Sequence, residues 1–210
     1  SSLTSVCLPD TLTVIAPNAF DFCNKLFTVT VDGANPVYHD VDGKYIIETA
    51  AKKLFLCVAD SEIPADGTVT SIGDYAFSDR AARKELIIPE TITAIGNYAF
   101  HYSRYLKGIK IPSSVKSIGE GAFLCTDLEN VILEDGIISI GYQAFQATNL
   151  SEIFIPKTVT QIDKLVFGEC KKLNSIIVDS QNPVYHSVGN CLIETQTKTL
   201  VVGCLASVIP

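Results

Sequence analysis

The sequence predicts an α/β repeat solenoid. In it, a right-handed coil carries a parallel β-sheet on one face, with second short strands and short helical or 3₁₀ turns on the other. Three observations predict it. A Phe, preceded by Ala in all but the last instance, recurs at Phe77, Phe100, Phe123, Phe145 and Phe167, with spacings of 23, 23, 22 and 22 residues. An Ile-x-Ile-Pro motif precedes most of these pairs at a constant distance. Outside the repeat, NPVYH occurs twice, at residues 35–39 and 182–186. A fixed period of this length is the signature of stacked repeats.

The template reads L-x-x-I-x-I-P-x-x-V-x-x-I-G-x-x-A-F, clearest in LKGIKIPSSVKSIGEGAF from Leu106 to Phe123. Other copies start at Leu3, Leu86, Val131 and Ile153. In I-x-I the period of two puts both isoleucines on one face of a short strand. The Pro ends that strand and sets a turn. The V-x-x-I segment is a second apolar stretch. The Gly after it (Gly73, Gly96, Gly119, Gly141) is expected to supply a backbone angle other residues dislike, although Ala16 and Asp163 replace it in two copies. The x-x-A-F segment reads as one helical or 3₁₀ turn. Its Phe fills the core, and its small Ala lets neighbouring coils approach. One unit cannot bury its own apolar row; stacked units can, at about 5 Å per coil.

Residues 1–210 therefore form one solenoid, interrupted by two copies of a longer unit at 32–64 and 179–210. The copies match at Gly43/Gly189, Glu48/Glu194, Thr49/Thr195, Leu54/Leu200 and Ile63-Pro64/Ile209-Pro210, with a one-residue deletion near Asp42. Each reads as a protruding β-hairpin in place of one coil's turn, with strands at 44–48 and 54–58, or 190–194 and 200–204. Asn-Pro favours a turn. The Tyr is expected to pack its ring on the coil and keep its hydroxyl in water. The absence of Met and the start in mid-template suggest a piece of a longer array, any targeting segment lost.

Hydrophobic residues make up 47% and charged residues 19%, a core-forming composition. The net charge of −7 and the scattered Lys and Arg argue against a nucleic-acid partner. No apolar run reaches the roughly 18 residues of a membrane span.

The strand segment resembles that of leucine-rich repeats. The position usually held by Asn or Cys after it is apolar here (Leu12, Ile92, Val115, Ile137, Val159). The fuller pattern I-P-x-x-V-x-x-I-G-x-x-A-F-x-x-C-x-x-L resembles the BspA-like, or Treponema-type, leucine-rich repeat family across essentially the whole chain. Cys23 and Cys170 stand at its Cys position, and Cys125 does so after a one-residue deletion. The resemblance implies a leucine-rich-repeat-like solenoid of a bacterial surface or secreted protein, and adhesion to a protein partner such as a host or matrix protein.

The chemistry-bearing residues form no catalytic constellation. His39 and His186 share no carboxylate neighbour, since Asp40 becomes Ser187 and Asp42 is deleted, so both are read as structural. His101 is read as a surface residue. Cys23, Cys125 and Cys170 are read as small buried residues, with Cys125 and Cys170 in one column but too far apart to bond. Cys191 and Cys204, on facing strands, could pair. No nucleophile elbow, phosphate loop or zinc motif occurs, and no enzyme activity, metal or cofactor is implied. The candidate site is the open sheet face, where the middle residue of I-x-I points away from the core. Stacking makes a stripe of Cys7, Thr30, Ile87, Lys110, Ile132, Phe154 and Ile177. Such a strip marks a protein interface or reflects simple β-propensity. Glu85, Glu129 and Glu152 beside it would select a basic partner. The reading is a non-catalytic protein-interaction or adhesion module. The alternatives are a glycan-binding module using Tyr38, Tyr45 and Tyr185, or a structural spacer that displays another domain.

Overall fold

The computed structural model describes residues 2–58, 61–80, 84–205 and 207–208. Strands β1 (Ser5–Leu8) and β2 (Thr28–Val31) open the coil. The first longer unit holds β3 (Tyr38–Val41), β4 (Tyr45–Glu48) and β5 (Lys53–Cys57). Two-residue strands then alternate with template strands: β6 (Ser71–Ile72), β7 (Glu85–Ile87), β8 (Ala94–Ile95), β9 (Gly108–Ile111) and β10 (Ser117–Ile118). The alternation continues through β11 (Asn130–Leu133), β12 (Ser139–Ile140), β13 (Glu152–Ile155), β14 (Gln161–Ile162) and β15 (Ser175–Val178). The second unit holds β16 (Tyr185–Val188), β17 (Cys191–Glu194) and β18 (Thr199–Gly203).

Template strands pair in parallel in three short sheets, β1-β2, β7-β9-β11 and β13-β15. The two-residue strands pair in parallel on the opposite side, from β6 to β14. Between the two rows run the predicted columns. Phe77, Phe100, Phe123, Phe145 and Phe167 stack ring on ring at 4.9, 5.0, 5.2 and 5.8 Å. Beside them Ala76, Ala99, Ala122 and Ala144 are wholly buried.

The solenoid is as expected, but its turns are not the expected helical or 3₁₀ ones, because no helix or 3₁₀ segment occurs among the described residues. Two residues per turn adopt left-handed backbone, for example Tyr98 (φ 54) and Tyr102 (φ 57). Each such residue reverses the local winding, so a helical ladder cannot propagate. Alternate N–H groups then point at the next coil. Tyr98, Phe100 and Tyr102 donate to the carbonyls of Glu120, Ala122 and Leu124 at 2.7, 2.7 and 3.0 Å. The turn side is itself a hydrogen-bonded wall.

The template glycines also differ from expectation. Gly73, Gly96, Gly119 and Gly141 are not at positive φ. A Cβ on Gly119 would lie 2.6 Å from the Gly96 carbonyl carbon, and one on Gly141 2.8 Å from the Gly119 carbonyl carbon. The requirement is close backbone approach between coils. The next position adds a side-chain ladder, in which Asp74 Oδ1 accepts from Asn97 N–H at 2.7 Å and Asn97 Oδ1 from Glu120 N–H at 2.8 Å.

Cys125 does not occupy the column assigned to it. It is half-buried at φ 58, and Thr126 takes the place. In that column (Ser103, Thr126, Thr148, Cys170) all four residues are buried, three of them donate to phenylalanine carbonyls, and the Thr148 hydroxyl bonds the Cys170 sulfur at 3.2 Å. Ser103 donates to Phe77 O at 2.8 Å and Cys170 to Phe145 O at 3.1 Å. Arg80 reaches the Phe20 carbonyl from the same position. The long side chain fits the place, because the coil between carries no Ala-Phe turn and the first coil's turn packs directly on the third's. Ser78 Oγ donates to Asp21 there at 2.7 Å.

Each longer unit has three antiparallel strands, not two, and NPVYH itself begins the extra one. The first unit does not protrude. Its β5 pairs in parallel with β6, which extends the second sheet to eight strands. The unit also separates two cores. Ile46, Phe55 and Leu56 belong to an N-terminal cluster with Leu8, Leu26 and Val29, whereas Tyr45, Ile47, Leu54 and Cys57 belong to the long core. In the second unit the strand equivalent to β5 is largely open, with Leu200 45% exposed where Leu54 is 0%. The Ile209-Pro210 pair lies outside the described residues.

Candidate interaction surface

On the open face of the template sheet each strand shows alternate side chains, as in the exposed-buried-exposed pattern of Glu85, Leu86 and Ile87. Register then fixes two rows. Ile87, Lys110 and Ile132 are direct cross-strand neighbours, as are Phe154 and Ile177, and Cys7 and Thr30. β13 lies beside β11, which brings the two groups together. Ile87, Ile132, Phe154 and Ile177 are between 47% and 83% exposed. Glu62 stands at the same place in the third coil, one residue before Ile63-Pro64, and is exposed. The Ile63-Pro64 pair marks its position in the sequence, outside the I-x-I pattern that marks the other strip residues.

The charges around the strip are unequal. Lys110 Nζ lies 2.6 Å from Glu134, whose hydrogen bond raises the lysine pKa and lowers that of the carboxyl. Glu129 is only 3.5 Å from Lys107, which also binds Asp127 at 3.1 Å. Glu85, Glu90 and Glu152 are exposed. Two depressions flank Ile87. One of about 620 Å³ is bounded by Glu62, Ile63, Glu85, Pro89 and Glu90. The other, about 550 Å³, lies over Gly108, Ile109, Lys110, Pro112 and Ile132.

The other sequence candidates resolve into scaffold. Tyr38, Tyr45 and Tyr185 are buried, which removes them as exposed glycan platforms. Their hydroxyls are not in water. Those of Tyr38 and Tyr185 accept the N–H of Ile15 and Ile162 at 3.3 and 3.0 Å, and that of Tyr45 donates to the Glu62 carbonyl. Asn35 Nδ2 donates to Pro9 and Leu12 carbonyls at 2.7 and 2.9 Å, and its Oδ1 accepts from Val37 and Tyr38 N–H at 3.0 and 2.8 Å. Asn182 repeats all four bonds. The Asp40/Ser187 exchange keeps one task, since each accepts a backbone N–H, from Val31 at 2.7 Å and Val178 at 3.1 Å. His39 and His186 each bond a threonine, Thr49 at 2.8 Å and Thr195 at 2.9 Å. His101 is half-buried between Tyr98 and Tyr102, not a free surface residue, and burial lowers its pKa. The Glu120 carboxylate accepts from the Tyr98 hydroxyl at 2.5 Å and holds that phenol up to about 12. All seven cysteines are free thiols, and Cys191 faces Gly203, not Cys204. Among the described residues no group of three His, Cys, Asp or Glu is placed to hold a metal, and no helix is long and apolar enough to cross a membrane.

A stacked coil with an Ala-Phe turn wall and a parallel sheet defines a leucine-rich repeat protein. The chain belongs to the BspA type leucine rich repeat family, whose repeat matches six times over residues 1–36 and 50–181. No curated protein matches it. Among solved structures it is similar to a leucine rich cell surface protein from Faecalibacterium prausnitzii A2-165, with 31% identity and a TM-score of 0.58 over 95% of this chain and 45% of that one. The fold also matches the pneumococcal vaccine antigen PcpA (18% identity, TM-score 0.59, 81% of this chain and 54% of that one). A leucine-rich repeat protein from Eubacterium ventriosum is similar at 20% identity and TM-score 0.54, over 79% of this chain and 49% of that one. The chain spans about half the length of each of these structures.

Proposed function

We propose that the chain is a non-catalytic protein-interaction module of a cell-surface or secreted bacterial protein, and that its open sheet face carries an adhesive contact with a protein partner. The observation that carries this is two adjoining in-register groups, Ile87 with Ile132 across Lys110 and Phe154 with Ile177, whose four apolar side chains are all left in the open. Aligned apolar side chains on an exposed face are typical of interaction sites. Membership of the family and the likeness to a leucine rich cell surface protein support the surface location. The test is a binding panel of purified matrix and host cell-surface proteins with wild type and the Phe154→Ser/Ile177→Ser variant. Both positions are half exposed, so thermal melting stays near wild type while binding falls. A panel partner that binds both proteins equally removes the strip from the reading.

A further inference from the structure

We propose that the two depressions flanking Ile87 form a two-pocket site for an extended polypeptide segment in which apolar side chains sit next to Lys or Arg. The inference rests on the open face being an interaction surface and names the chemistry of its partner.

Three features carry it. Ile87, at 83% exposed, is a ridge between the depressions and not a lid on either. The second depression exists because a side chain is missing. Gly108 is in register with Glu85 and Asn130, and a Cβ built there meets nothing closer than Glu85 Cγ at 3.8 Å. Its φ is not in the left-handed region, so neither conformation nor packing demands glycine. The third feature is charge. Glu85 and Glu90 line both depressions, and the cation among the described lining residues, Lys110, is already held by Glu134 at 2.6 Å. The apolar floors take aliphatic side chains and the rim takes their cationic neighbours. A second copy of this chain is a poor occupant, since its net charge is −7.

The test uses two short fluorescent peptides, one alternating Leu and Lys and one alternating Leu and Glu, read by anisotropy, with isoleucine methyl resonances reporting location. The Leu/Lys peptide binds, weakens with added salt and shifts Ile87 most. The Glu85→Gln/Glu90→Gln variant and the Gly108→Val variant each weaken it about tenfold. Valine suits a strand, so Gly108→Val keeps the wild-type melting temperature, and the glutamine variant tests the site through charge alone. Equal binding of the Leu/Glu peptide overturns the inference, as does binding indifferent to both variants. If binding is instead lost in Phe154→Ser/Ile177→Ser and shifts Ile177, the two-pocket site fails while the interaction strip stands. If no variant at either end changes binding, both fail.

Discussion

Replacing Gly119 by Ala isolates the force that sets the coil spacing. Gly119 does not have positive φ, so alanine is conformationally allowed there. On backbone grounds alone the change would stabilise by about 0.4–1 kcal/mol, by narrowing the unfolded ensemble. The added methyl, however, would lie 2.6 Å from the Gly96 carbonyl carbon, and 2.7 Å from both the N and Oδ1 of Asn97. Ordinary contact needs nearly 1 Å more, and the obstacle is mostly backbone. Relieving it pulls on the Gly119 N–H to Ile95 bond at 2.9 Å and the Glu120 N–H to Asn97 bond at 2.8 Å. Overpacking of this kind costs about 1–3 kcal/mol, and a weakened hydrogen bond about 1 kcal/mol more. The net expectation is a loss of about 1–3 kcal/mol, read as a lower urea midpoint at unchanged slope. Gly33→Ala is the control. It has no neighbour within 4 Å and no positive φ, and should hold or gain stability. If Gly119→Ala matches wild type, close approach is not why glycine stands there. Ala16 and Asp163, at the same place in other coils, would then be the rule and not the exceptions.

Leu54→Ala should cost about 3–4 kcal/mol in urea unfolding, and its duplicate Leu200→Ala about 1 kcal/mol, because one leucine is fully buried and the other 45% exposed; equal losses would contradict the difference in cover. Asn182→Ala leaves the Pro156 and Val159 carbonyls and two N–H groups without their partner, and should lose about 2–3 kcal/mol, whereas Asp40→Ser should stay within about 0.5 kcal/mol. Burial depresses the His101 pKa, so the folded state binds fewer protons than the unfolded one just below the usual value of 6.5. Stability should therefore fall as pH drops from about 6.5 towards the lowered value, then level off. Thermal melts of His101→Gln should lack that part of the slope, and identical profiles would refute it.

The repeat, its strands and the phenylalanine column were legible because each rests on periodicity, which stacking converts directly into contact. The strip was legible for the same reason, as alternation in I-x-I dictates which side chain faces outwards. What the sequence hid was backbone. Gly119 reads like a turn glycine until the neighbouring coil is in place. Tyr98 and Gln143 carry no mark of left-handed φ, although the wall of turns depends on them. The Asp40/Ser187 exchange looks like a lost constellation, and only the Val31 and Val178 N–H groups reveal a kept one. The depression at Gly108 was equally invisible, because an absent side chain has no signature until its strand neighbours are known.

The first longer unit has a consequence for cooperativity. Adjacent coils elsewhere share one phenylalanine column, so disturbing one ring disturbs the next. At β4 and β5 that column is interrupted. Two-faced strands meet the small cluster with Ile46 and Leu56, and the long core with Ile47 and Leu54. The backbone ladder crosses this partition, as do the Phe22–Tyr102 ring contact and the Ser78 and Arg80 hydrogen bonds to the first turn, but the phenylalanine column does not. Under tension along the coil axis, the array should part at this partition into two mechanical units. The smaller cluster should yield first, and the larger, with its exposed apolar strip from β7 to β15, should stay wound under load.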